Sequence, residues 1–253
     1  MTSSETGAVR RRAVTLPRVL HAEWTKLASL AWPVWVVVGT VAAAGSLAFV
    51  LGLFVGPGDA VTGTSLATTG NLPALLGVLV LGVLVGTGDF ATGTSLVVFA
   101  AVPRRLPVLA AQVVVVAVVS LVTAVAALAV SVLATTPARA GAGVSWELTD
   151  PATRHAAVGY VLFLTGVGVL GVGLGVLLRR PPAALTSGVL LFVVVDQVLA
   201  ANPGRVTDAV RALLPAGATR LFADGAGGGP VLATWCAAVV LLAGFRLVRR
   251  DVT

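Results

Sequence analysis

Apolar residues in this chain run in long uncharged blocks, not in the alternation of half-buried strands or the narrow stripes of surface helices. Six blocks stand out, at about 32–54, 71–87, 108–134, 156–178, 183–200 and 230–248. Each approaches or exceeds the roughly 20 apolar residues that cross a hydrocarbon core about 30 Å thick. The pattern therefore predicts an all-α integral membrane protein with six transmembrane helices. The third block is the longest and is expected to tilt or project from the bilayer, whereas the second and fifth lie near the lower limit. The first exceeds the usual apolar region of a cleaved signal peptide and is expected to remain in the mature protein.

Quieter patterns lie between and before the blocks. Residues 1–14 are polar, basic and aperiodic, and read as a disordered tail. Over residues 15–31, Leu16, Leu20, Trp24 and Leu27 fall on one helical face, with Arg18, His21, Thr25 and Ser29 opposite. That spacing predicts an interfacial helix along the inner leaflet before Trp32 and Pro33 turn the chain into the first span. Glu23 sits inside the apolar stripe, where either a pairing with Lys26 or a protein partner would account for it.

Between the second and third blocks, Thr94 is placed to cap a short helix that Pro103 ends. Leu96, Val97, Val98 and Phe99 would then be exposed to water unless something covers them, which marks an interaction surface or packing on neighbouring helices. Between the fifth and sixth, Val206, Ala209, Val210, Leu213 and Leu214 recur at helical spacing before Pro215 and a glycine-rich run at 225–229. One or two short helices dipping into the outer leaflet are expected there.

Composition reinforces the membrane reading. Of 253 residues, 57% are hydrophobic and 11% charged, against about 25% charged in soluble domains, and the mean hydropathy is +1.01. The basic residues are distributed asymmetrically. Arg10, Arg11, Arg12, Arg18, Lys26, Arg104, Arg105, Arg179, Arg180, Arg246, Arg249 and Arg250 fall on one side of the six crossings, and Arg139, Arg154, Arg205, Arg211 and Arg220 on the other. Cytoplasmic loops carry the excess of Lys and Arg, so both termini are expected in the cytoplasm.

Chemistry-bearing motifs are sparse. Cys236 is the single cysteine, and His21 and His155 are the only histidines, too few for an internal disulfide or a dedicated metal site. Lys26 follows no glycine-rich loop, so no Walker A motif is present. Gly166-x-Gly168-x-x-Gly171 has dinucleotide-site spacing but lies inside an apolar span. It reads as helix packing, together with Gly171-x-x-x-Gly175 and Gly82-x-x-x-Gly86. No catalytic, cofactor or metal residues are assigned, and an enzyme is not expected. One ionisable residue falls within a span: Asp196, beside Gln197. An intramembrane carboxylate faces a cavity or a partner such as Arg205, unless the fifth span ends early and leaves it at the interface.

Four segments together resemble the permease subunits of type 2 ATP-binding-cassette exporters. They are His21-Ala22-Glu23-Trp24-Thr25-Lys26-Leu27, Gly88-Asp89-Phe90-Ala91-Thr92-Gly93-Thr94, Val102-Pro103-Arg104-Arg105 and Leu177-Leu178-Arg179-Arg180. The corresponding family pattern is E-W-T-K-L, then G-E-Y-x-x-G-T, then V-P-R-R, with Asp89 and Phe90 standing here for the usual Glu and Tyr. The resemblance implies an elbow helix, a cytoplasmic coupling helix between the second and third spans, and short re-entrant helices between the last two. It also implies a bacterial plasma-membrane location, a second permease copy or sister permease, and a separate ATPase subunit. Carried over by position, Glu23, Asp89, Phe90, Gly93, Thr94, Leu96 and Phe99 would form the ATPase-coupling region. The competing readings are an ion-coupled secondary transporter using Asp196 and a non-transporting membrane anchor. Nucleic acid is not an expected partner, membrane lipid is, and nothing in a Val/Leu/Ala-lined bundle selects a cargo.

Overall fold

The computed structural model describes residues 16–56, 58–91, 105–217 and 228–249. All regular structure among them is helical: α1 (Leu16–Ala28), α2 (Ala31–Gly52), α3 (Gly63–Ala67), α4 (Asn71–Ala91), α5 (Arg105–Ala134), α6 (Thr136–Ala142), α7 (Pro151–Leu178), α8 (Pro181–Ala201), α9 (Arg205–Leu213) and α10 (Gly229–Arg249). Six segments are long and apolar enough to cross a membrane: α2, Gly63–Gly88, Leu106–Ala134, α7, α8 and α10. They coincide with the six expected blocks. The tail at 1–14, Gly93, Thr94, Leu96, Phe99 and the glycine-rich run as far as 227 lie outside the described residues.

The helices overrun the apolar blocks where local chemistry allows. α7 begins five residues before its block because Asp150 caps it and Pro151 occupies its first turn. The Asp150 carboxylate accepts hydrogen bonds from the Thr153 N–H at 3.0 Å and the Thr153 hydroxyl at 2.9 Å. Those bonds, the backbone one foremost, hold Asp150 below the usual carboxylate range. The same helix ends where Arg179 turns left-handed at φ 57° and its N–H closes on the Gly175 carbonyl at 2.8 Å. Two helices were not expected. α3 starts with a reciprocal Thr62/Ser65 capping box, and α6 is stopped by the left-handed Gly143.

α7 is the centre of the bundle, packed against α4, α5, α8 and α10. Its apolar window is 61% buried, compared with 17% for α8. Phe163, Leu164, Val167 and Leu170 form its core face with Leu79 and Val83 of α4. Lipid tails are as apolar as leucine, so burial against lipid contributes little and close backbone approach has to hold the helices together. The α4–α7 seam does this with glycine. A methyl group on Gly82 would collide with the Gly168 carbonyl and one on Gly86 with the Val172 backbone. On Gly175 it would come within 2.9 Å of the Val83 carbonyl. The dinucleotide-like letters at Gly166, Gly168 and Gly171 are thus helix-packing positions facing Leu232, Ser120 and the Leu79–Val83 stretch.

Large side chains on the outside of the bundle remain uncovered, including Trp35 at 73% exposure and Phe54 at 80%. The six crossings alternate in direction. One end carries α1, the close of α4, the start of α5, the close of α7, the start of α8 and the close of α10.

Candidate functional site

Two places gather the polar groups that the sequence singled out. The first is at the α1 end. α1 lies against α5 through Val19 and Leu20, which meet Val108 and Ala111. This face is rotated from the expected stripe: Trp24 points outward at 48% exposure, and Glu23 takes the inward position beside Leu27. The Glu23 carboxylate is 3.7 Å from the Lys26 ammonium, so the local pairing is present. It is an unequal pair, with the Glu23 side chain 12% exposed and that of Lys26 46%.

Glu23 borders a cavity of about 410 Å³. Glu23, Lys26, Trp32, Leu84, Val85 and Gly88 are among its walls, together with Gln112, whose amide is buried within α5. Sequence reasoning missed Gln112. It is the one uncharged amide inside the third apolar block, and that isolation was the available signal.

A few residues away, Asp89 and Phe90 occupy the last turn of α4. The Arg179 guanidinium lies over the Phe90 ring, 5.1 Å from its centroid. Arg179 is also the residue that ends α7. One cation–π contact therefore joins the exits of the two helices that the glycine seam already holds together. Gly93, Thr94, Leu96 and Phe99 follow in the segment outside the described residues.

The second place is toward the other end. α8 continues without a break through Asp196 to Ala201. At 1.5 Å per residue, Asp196 lies about 22 Å along α8 from Pro181. Its partner is Arg211 of α9, not Arg205, which is exposed. Arg211 Nε donates to Asp196 Oδ1 at 3.0 Å and Nη2 to Oδ2 at 3.2 Å, a two-pronged geometry suited to guanidinium and carboxylate. Gln197 points outward.

α9 explains the choice of partner. Val206, Val210 and Leu213 share its exposed face, so Arg211 falls on the face turned toward α8. A helical-wheel reading of 205–213 would have found this. The far end of α9 is anchored by Trp235, whose indole N–H donates to the Leu213 carbonyl at 2.8 Å. Immediately before Asp196, α8 widens into a π-helical turn over Leu190–Val194, with the Val195 N–H bonding back to Leu190. Inserting that turn resets which residues of α8 face the bundle.

Among the described residues, no three of His, Cys, Asp or Glu converge on one point. Among the described residues the arrangement offers packing seams, an ion pair between α8 and α9, and an apolar cavity with a charged rim. No family model and no curated protein matches this chain.

Proposed function

We propose that this chain is the membrane-spanning permease subunit of a type 2 ATP-binding-cassette exporter, forming the translocation pathway and driven by a separate ATPase subunit. The observation that carries the reading is the linked exit of α4 and α7. The segment to which the sequence resemblance assigns ATPase coupling, Asp89 to Val102, begins in the last turn of α4, and there Phe90 is held by Arg179 at the end of α7. A displacement applied to that segment would therefore move two helices that the seam at Gly82, Gly86, Gly168 and Gly175 makes into one body. α8, with the least covered apolar window and a π turn, is the element such a body would slide past or release.

Under this reading α1 is the elbow helix and α9 belongs to the re-entrant region. Both termini are cytoplasmic in a bacterial plasma membrane, and a second permease copy or sister subunit completes the pathway. The chain contributes differential contacts between two conformations and makes or breaks no covalent bond. The ion-coupled alternative is weakened by Asp196, whose two oxygens are both engaged by Arg211, so a transported cation would have to compete with a guanidinium already in place.

Affinity purification from gently solubilised membranes is expected to bring down a subunit with a Walker A peptide. Reconstitution of the two should give ATP-dependent export. Leu96→Asp or Phe99→Asp should abolish the association while leaving membrane insertion intact. A chain that exports in vesicles without any ATPase would overturn the proposal.

A further inference from the structure

A lateral groove opens between the closing turns of α7 and α10. Its volume is about 410 Å³, and it is lined by Leu177 of α7 and by Leu242, Phe245, Arg246 and Arg249 of α10. The four α10 residues stand at i, i+3, i+4 and i+7, forming one stripe that grades from aliphatic through aromatic to cationic along the axis. Leu242 and Phe245 are 57% and 56% exposed, so the groove opens to the outside of the bundle and not to its core.

Two features prepare the cationic end. Arg249 is stacked over the Phe245 ring at 4.4 Å, which restricts where its guanidinium can go. Arg246 is half-buried, and its Nε is shielded from water with no hydrogen-bond partner among the described residues. A buried donor without an acceptor is costly, and an anionic oxygen in the groove would remove that cost. No acidic side chain lines the groove among the described residues. The position suits a lipid as well. α10 has 21 residues, about 31 Å of helix, so a membrane-spanning α10 brings its last turn to the level of the headgroups.

We infer that Arg246 and Arg249 together bind the phosphodiester of an anionic glycerophospholipid, with its acyl chain lying on Leu177, Leu242 and Phe245. The proposal is independent of cargo and of any ATPase and requires only that α10 spans the bilayer. A zwitterionic lipid carries a compensating ammonium, for which the groove presents no carboxylate among the described residues.

The test uses the full-length protein in detergent, titrated with phosphatidylglycerol or phosphatidylcholine, with retained lipid read by native mass spectrometry. Phosphatidylglycerol is expected to be retained preferentially. Arg246→Gln and Arg249→Gln should each weaken retention about fivefold, the usual contribution of one basic side chain at an anionic surface. Arg246→Lys should restore part of it, and Arg154→Gln, at the opposite end, should leave it unchanged. Leu242→Trp, at an exposed position, should block the groove while sparing the fold. Equal retention of the two lipids by the native chain, or undiminished phosphatidylglycerol retention in the Arg246→Gln/Arg249→Gln double variant, overturns the assignment. So does loss of an acidic protein partner from the double variant with lipid retention intact.

Discussion

Asp196 and Arg211, on different helices, meet through paired hydrogen bonds of 3.0 and 3.2 Å, with Arg211 almost fully buried and Asp196 retaining partial exposure. A guanidinium in that position is tolerable only while the carboxylate faces it, because taking one charge away strands the other in a poorly hydrated site.

Asp196→Asn and Arg211→Gln should therefore each lower stability in a lipid nanodisc by about 1–3 kcal/mol, below the 3–5 typical of fully buried pairs because Asp196 is partly exposed. The double variant should recover much of the loss. Thermal unfolding of the four proteins as a double-mutant cycle measures this. A coupling energy near zero would mean that the two groups do not depend on one another.

At the α4–α7 seam, Gly82→Val and Gly86→Val should destabilise by about 1–3 kcal/mol or more, because the opposing atoms are backbone and cannot rotate away. Gly39→Ala in α2 is the matched control. A methyl group there meets nothing within 4 Å, and the change should be neutral or stabilising by up to about 1 kcal/mol. If Gly86→Val unfolds at the same temperature as the native protein, the seam is not what holds the two helices.

Phe90→Ala and Arg179→Gln remove the same contact from opposite sides, and each should lower stability by about 0.5–2 kcal/mol without additivity. Under the exporter reading they should also uncouple the two subunits. The ATPase should still copurify and hydrolyse ATP while export falls. Export at the native rate in both variants would show that the α4–α7 link transmits nothing.

The Asp150 cap gives a pH dependence of defined sign. Its folded pKa lies below the unfolded one. The cap therefore contributes fully above the ordinary carboxylate range near pH 4, and its contribution is lost as the pH falls through the depressed folded value. The unfolding temperature of the native protein should drop on acidification in that window, and Asp150→Asn should flatten the drop. An identical acid limb in the two proteins would dissociate the cap from that dependence.

The number of crossings was legible because hydropathy summed over twenty residues is a local property. No tertiary contact changes whether Val34 or Leu121 prefers lipid to water. The limits of the helices were less so. α7 gains five residues at its start because a cap and a proline outweigh the polarity of Arg154 and His155. α3 and α6 were missed because five- and seven-residue helices depend on caps and neighbours more than on composition. For α1 the stripe was legible but its orientation was not. Trp24 and Glu23 exchange the places expected of them because α5 offers a surface to Val19 and Leu20, which turns Glu23 to the border of the cavity.

By itself, the sequence determined that six stretches are long and apolar enough to cross a lipid bilayer, since this follows from transfer free energies of residues taken one stretch at a time. Only the tertiary structure decided that Arg211 and not Arg205 answers Asp196, that Phe90 lies under Arg179, and that the glycines of α4 meet those of α7. Each of these depends on the rotation of one helix about its axis relative to another. That rotation is set by how side chains and bare backbone interlock across the interface, which no single segment encodes.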